Sequence, residues 1–145
     1  MASSLTFTSD SFLNATIAST ASNSSANVRF DILAADATYP RRIYGISITT
    51  SDAAPQTVKF HLHDGSTAYQ LYTLNIPANS GNTTALASID VFGNVLGSSL
   101  FQKQRDANGV PYFNIPATWK LQMEYATGFT TFETMSIFVF GETYA

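Results

Sequence analysis

Thr57-Val58-Lys59-Phe60-His61-Leu62-His63-Asp64-Gly65-Ser66, followed after a short gap by the run Tyr69 to Ile76, is the stretch that decides the fold. Val58, Phe60 and Leu62 alternate with Lys59, His61 and His63, and a period of two places the first set on one face of a strand and the second on the other. Asp64-Gly65-Ser66 between two such runs is a hairpin signal, because Asp-Gly tolerates the positive φ angles of a tight turn. The reading is an antiparallel pair with one buried and one wet face.

Working outward, the same signature repeats. Ile43, Gly45, Ser47 and Thr49 alternate with Tyr44, Ile46 and Ile48, and the full set of strand candidates is Val28 to Leu33, Ile43 to Thr50, Thr57 to His63, Tyr69 to Ile76, Ala85 to Phe92, Pro111 to Ile115, Thr118 to Tyr125 and Met135 to Phe140. Short β-branched and aromatic runs separated by turn chemistry imply an all-β antiparallel sandwich of about eight strands. Asn108-Gly109-Val110-Pro111 and Ile115-Pro116-Ala117-Thr118 mark further turns, Pro77 to Asn82 a loop, and Pro77 and Pro116 close the strands before them by removing a ladder donor. One segment, Val91 to Gln104, spaces Val91, Val95, Leu96 and Leu100 as a short helix would. In Met135-Ser136-Ile137-Phe138-Val139-Phe140 both alternating sets contain large apolar residues, the pattern of a strand covered on both faces, by the core on one side and by a loop or a neighbouring subunit on the other.

The first 27 residues are dominated by Ser, Thr, Ala and Asn, with Asp10 as the one charge and isolated apolar residues at Leu5, Phe7, Phe12, Leu13 and Ile17. That spacing fits no helix and reads as a first strand plus an extended arm whose apolar residues dock elsewhere. The chain of 145 residues is therefore divided into an arm or first strand, 1–27, and one sandwich domain, 28–145.

Composition removes whole classes of function. Charged residues are 12% and the net charge is −3, with no basic cluster beyond Arg41-Arg42, so a phosphate-neutralising nucleic-acid footprint is not expected. Cysteine is absent, which excludes disulfides, zinc-thiolate and iron–sulfur sites and thiol nucleophiles. No signal peptide and no membrane span are read, the longest uncharged stretch, Gly65 to Ile89, being broken by polar residues, Pro and Gly.

No phosphate-cradling Gly-rich loop, nucleophile elbow or metalloprotease helix motif occurs, and the expectation is that the chain is not an enzyme and takes no cofactor. The metal-like constellation is His61, His63 and Asp64, two imidazoles on one strand face followed by a carboxylate at the turn, set against a plain polar outer face beside Lys59. Glu124 and Glu133 are the carboxylates on or next to strands that a glycosidase pair would need, with Glu124 more simply the outward position of its strand. Trp119, Tyr112, Tyr69, Tyr72 and Tyr44 would supply a sugar-stacking platform, the alternative function, although Trp119 alternates with Leu121 and Met123 as a core residue does.

The order Tyr44 to Thr50, then Thr57 to Gly65, then Leu71-Tyr72-Thr73-Leu74-Asn75-Ile76-Pro77-Ala78-Asn79-Ser80-Gly81, then Ile89-Asp90-Val91, a loop ending in Asp106-Ala107-Asn108-Gly109, and Pro116-Ala117-Thr118-Trp119-Lys120-Leu121 resembles the small jelly-roll virion proteins of tailed bacteriophages, over about Ile43 to Tyr144. The resemblance implies a jelly-roll fold and a capsid decoration or cement protein, made in the bacterial cytoplasm and located in the virion. Its partners would be the major capsid protein and further copies of itself, as a homodimer or homotrimer, with no nucleic acid, membrane or small-molecule substrate. It carries over no catalytic residues. The Ser/Thr-rich arm departs from the pattern and leaves a head-surface, neck or fibre-associated position open. On this reading the contacts come from the arm, through Phe7, Phe12, Leu13 and Ile17, and from the last strand, through Ile137, Phe138, Val139 and Phe140.

Overall fold

Alternating and β-branched runs become strands wherever a turn residue lets the chain reverse. A computed structural model describes residues 9–19, 27–84, 86–91, 104–126 and 134–144. Its strands are β1 (Ser9–Ser19), β2 (Phe30–Leu33), β3 (Arg41–Thr50), β4 (Gln56–His63), β5 (Ala68–Ile76), β6 (Ile89–Asp90), β7 (Gln104–Arg105), β8 (Pro111–Ile115), β9 (Lys120–Tyr125) and β10 (Thr134–Tyr144).

The pairings nest. β1 pairs with β10, β2 with β9, β3 with β8 and β4 with β5, all antiparallel, so the chain is one long ribbon folded back on itself at the β4–β5 turn. Rolling that ribbon lays β10 against β3 and β9 against β4. Two antiparallel sheets result, one in the order β1-β10-β3-β8-β7 with β6 also on β3, the other in the order β2-β9-β4-β5. Between them lies one apolar core built from Ile32, Ile43, Ile46, Ile48, Val58, Phe60, Ile76, Ile115, Leu121, Met123, Tyr125, Met135, Ile137 and Val139. The sandwich expected from the sequence is the fold observed.

Turn chemistry holds the ribbon's reversals. At the β4–β5 hairpin Gly65 has φ 104°, Asp64 N–H donates to the Thr67 carbonyl, and Asp64 Oδ1 accepts from the amides of Ser66 and Thr67. Asp106 plays the same part between β7 and β8, accepting from Asn108 and Val110 with Gly109 at φ 79°. Pro77 and Pro116 directly follow the last residues of β5 and β8.

Several boundaries differ from the sequence reading, among them the start of β9, which is Lys120 rather than Thr118 because Thr118 is in a turn at φ 71°. Val28 and Arg29 precede β2, because the chain is still turning at Asn27, whose φ is 58° and whose N–H donates to the Tyr125 carbonyl. Of Ala85 to Phe92 only Ile89–Asp90 is strand, since turns occupy Ala78 to Asn82 and a Thr83–Leu86 bridge closes the loop; Ala85 and Phe92 lie outside the described residues. The proposed helical segment falls mostly on 92–103, also outside them, and its last residue, Gln104, is in β7. The final strand runs past Phe140 to Tyr144.

The largest correction lies in β3. Strict alternation sets Ile43 against Ile46 and Ile48, yet all three are buried in the core. Phe140 pairs with Gly45 and Gly141 with Ile43, so Tyr44 is an extra residue and the strand changes face across it. A β-bulge does this by opposing two residues to one. Both glycines at the step are required by close approach: the Phe140 ring covers Gly45, and a methyl group at Gly141 would overlap the Arg42 carbonyl oxygen. A ring can swing aside and a backbone carbonyl held in a ladder cannot. Gly141→Ala is therefore expected to destabilise the fold by about 3 kcal/mol and Gly45→Ala by less; urea unfolding of the two variants checks the order, and equal effects would contradict it.

Candidate functional site

Three places on the sandwich gather chemistry-bearing side chains. The first is the outer face of the four-stranded sheet. His61 and Glu124, side-chain neighbours across β4 and β9, are both buried, and His61 Nε2 lies 3.0 Å from Glu124 Oε1. Lys59 Nζ approaches the same carboxylate at 3.7 Å. On the other side of β9, Gln122 donates to Asp31 at 2.8 Å, and Lys120 pairs with Asp31 at 3.2 Å. Two acceptor-capable atoms inside this network, His61 Nδ1 and Gln122 Oε1, are inaccessible and have no hydrogen-bond partner among the described residues.

The metal-like trio does not converge. His61 turns to Glu124, His63 Nδ1 accepts the Gly65 amide, and Asp64 is spent on its own turn, accepting from Ser66, Thr67 and the Tyr69 hydroxyl. Among the described residues no group of three or more His, Asp or Glu is placed to hold an ion. Glu124 is likewise held by His61 and Lys59 rather than forming half of a carboxylate pair, and Glu133 lies outside the described residues.

The second place is the charged end of the six-stranded sheet's outer face. The Arg42 guanidinium lies over two rings, 4.9 Å from the centre of Tyr112 and 4.4 Å from that of Tyr144, and bonds Glu142 at 3.1 Å. Tyr44 donates to Glu142 at 2.8 Å, with Asp106 at 3.3 Å as the longer branch. Burial, then the bond to the Glu142 carboxylate, pushes the Tyr44 hydroxyl up to about 12, which keeps it a donor. The five aromatics proposed as a platform are thus divided: Tyr44 and Tyr112 sit here, while Tyr69 and Trp119 stack 6.3 Å apart elsewhere and Trp119, like Tyr72, packs on the core.

The third place is apolar. Ile137 and Val139 point into the protein's own core and are fully buried, so they are not interface residues; the sheet's alternation turns Phe138 and Phe140 outward instead. Phe140 is 43% exposed and its register partner on β1, Leu13, is 68% exposed. Phe12 packs against the core. Ile17 is in β1 opposite Ser136, and Phe7 lies outside the described residues. Ser9–Ser19 is a strand of this sheet, the first-strand alternative for this segment, and 1–8 and 20–26 lie outside the described residues. Beside Leu13 a cleft of about 340 Å³ opens between β1 and the chain after β2, lined by Phe12, Leu33, Ala34, Asp36 and Arg41 among others.

Sequence reasoning missed Arg42, Glu142 and Tyr144 as a unit, and the His61–Glu124 pair. Their partners are set by strand register across the sheet, which no linear spacing displays. Comparison of the chain with protein-family models, curated proteins and solved structures found no match.

Two outcomes follow from this geometry. Removing one member of a buried hydrogen-bonded pair strands the other, so Glu124→Ala should cost about 2 kcal/mol, and adding His61→Ala to it should cost clearly less than the sum of the single changes; urea unfolding of the two singles and the double closes the cycle, and additivity would contradict the pairing. Backbone amides of Thr67 and Ser66 hold the Asp64 carboxyl down from 3.8 to about 2. A depressed carboxylate stabilises the fold above its unfolded value, so the contribution of this turn is complete above pH 3.8 and is lost as pH falls through about 2. A carboxyl-carbon NMR titration should place the Asp64 inflection near the lower value; an inflection at 3.8 would contradict the bonds drawn.

Proposed function

We propose that this chain is a jelly-roll structural protein of a tailed-phage virion, a decoration or cement subunit that binds the major capsid protein and reinforces the head. The observation that carries the reading is the exposed Leu13–Phe140 pair on the outer face of the six-stranded sheet, an apolar surface of the kind that marks a protein–protein contact. The rolled ribbon supports the jelly-roll part of it, because a jelly roll is a double sheet made from one long antiparallel ribbon whose ends pair first and last, here β1 with β10. A cysteine-free chain suits synthesis in a reducing cytoplasm. In an icosahedral particle each contact is repeated by symmetry, so a small apolar surface with modest affinity per copy is enough to strengthen the shell.

One observation favours the second reading, a carbohydrate-binding module: Tyr69 is 48% exposed, stacked on Trp119 and rimmed by Asp64. The two readings separate in one experiment. Purified protein is sedimented with undecorated heads of the phage that encodes it, and in parallel its Trp119 fluorescence is titrated with a panel of glycans. Saturable cosedimentation that drops at least tenfold for Phe140→Ser, with no glycan response, is the expected result. Protein that remains in the supernatant while its fluorescence shifts with a glycan would overturn the capsid reading in favour of the sugar one.

A further inference from the structure

A guanidinium keeps its proton throughout the pH range of a folded protein, so burying one calls for hydrogen-bond acceptors and a counter-charge in the same place. Arg41 has the first without the second. It is 5% exposed, and its guanidinium donates to the carbonyls of Ala34 and Trp119, tying the chain just after β2 to the residue before β9. Both acceptors are neutral, and Arg41 Nε has no partner among the described residues. The ion pairs among those residues engage Arg42, Lys59, His61 and Lys120, never Arg41. The acid whose field reaches it is Asp36, which is committed to its own turn: Oδ1 accepts the amides of Tyr39 and Thr38, each at 2.9 Å, and those bonds hold its carboxyl below the usual range.

Arg41 also lines the cleft of about 340 Å³ between β1 and the chain after β2. That volume lies at the small end of the range for ligand pockets, about 300–1,000 Å³. Apart from Arg41 and Asp36 the walls are apolar or hydroxyl-bearing, with Phe12, Leu13 and Ala35 among the first and Ser11 and Thr143 the second. An uncompensated cation in an apolar wall is the arrangement that orients a ligand with one charged end.

We propose that this cleft is a binding site for a small monocarboxylate with an apolar tail, its carboxylate paired with Arg41 and its hydrocarbon against Phe12, Leu13 and Ala35. The planar fork of the guanidinium matches a carboxylate, and hydroxyls supply further donors to its oxygens. One cation, with the Asp36 carboxylate on the same cleft, favours a single negative charge over two and so sets a phosphate monoester aside. The inference stands without the capsid reading, and it is tested with no particle present.

Isothermal titration calorimetry of the full chain with hexanoate reads the result, with 1-hexanol and hexylammonium offering the same tail without the charge and with the opposite one. The expected result is saturable one-to-one binding of hexanoate with a Kd below about 1 mM, and at least tenfold weaker binding of the other two. Ala35→Trp fills the cleft from an exposed position and should weaken hexanoate binding at least tenfold with the far-ultraviolet circular dichroism unchanged. Asp36→Asn keeps the Oδ1 acceptor of the turn, removes the competing charge and should tighten binding about threefold. Arg41→Gln should lose at least tenfold; if that chain does not fold, the other two variants decide. Absence of saturable binding up to about 10 mM hexanoate, hexanol bound as tightly as hexanoate, indifference to Ala35→Trp, weaker binding by Asp36→Asn, or unchanged binding by a folded Arg41→Gln overturns the proposal.

Discussion

The sandwich depends on a step in register where β3 meets β10. With Ile46 and Ile48 committed to the core, uninterrupted alternation would carry Tyr44 and Arg42 inward behind them and turn Ile43 out to water. The step exchanges one arginine for the other: Arg41 takes the inward side, where its guanidinium donates to the carbonyls of Ala34 and Trp119, and a buried guanidinium is tolerated only with such partners. The extra residue at Tyr44 resolves the conflict: Ile43 rejoins the core, Arg42 faces out, and Gly141 gives the Arg42 carbonyl the room that any side chain there would take. The same step divides the outer face of the six-stranded sheet into two chemistries. On one side of it lie Phe138, Phe140 and Leu13; on the other, Arg42 is held between Tyr112 and Tyr144 and tied to Glu142.

The two sheets handle their outer faces differently. The four-stranded sheet covers its outer side with its own polar side chains, so that Gln122 and Glu124 are almost as inaccessible as Leu121 and Met123 on the core side. Such a surface is already occupied by internal hydrogen bonds, and a partner would have to break them to gain contact. Among the described residues of the six-stranded sheet, Leu13 and Phe140 are the large apolar side chains left exposed on its outer face.

Much of the architecture was legible from local signals. Asp64-Gly65 marks the reversal of the whole ribbon, Pro77 and Pro116 mark strand ends, and the alternation of Val58 and Phe60 with Lys59 and His61 reads correctly as inside and outside. What resisted reading was everything set by register. Tyr44 as a bulge cannot be seen in β3 alone, since the misfit is with β10, more than ninety residues downstream. The double apolar pattern of Met135 to Phe140 implies a strand with two covered faces but leaves open whether Ile137 with Val139 or Phe138 with Phe140 is the outward pair, which the pairing with β3 and β1 decides. His61 and His63 looked like a metal pair because two imidazoles share a strand face, whereas the carboxylate that satisfies His61 is contributed by β9.

The nested pairing also fixes when each part of the molecule is able to form. The turn at Asp64 and the β4–β5 hairpin are local, but Ser9 has to wait for Tyr144, its register partner. On a ribosome the N-terminal strand therefore emerges first and is completed last, and long-range closure of this kind makes folding slow. During that interval any other nascent copy offers the same β10 to it. Until Tyr144 has been made, the pairing that completes the six-stranded sheet's outer strand is unavailable to its own chain.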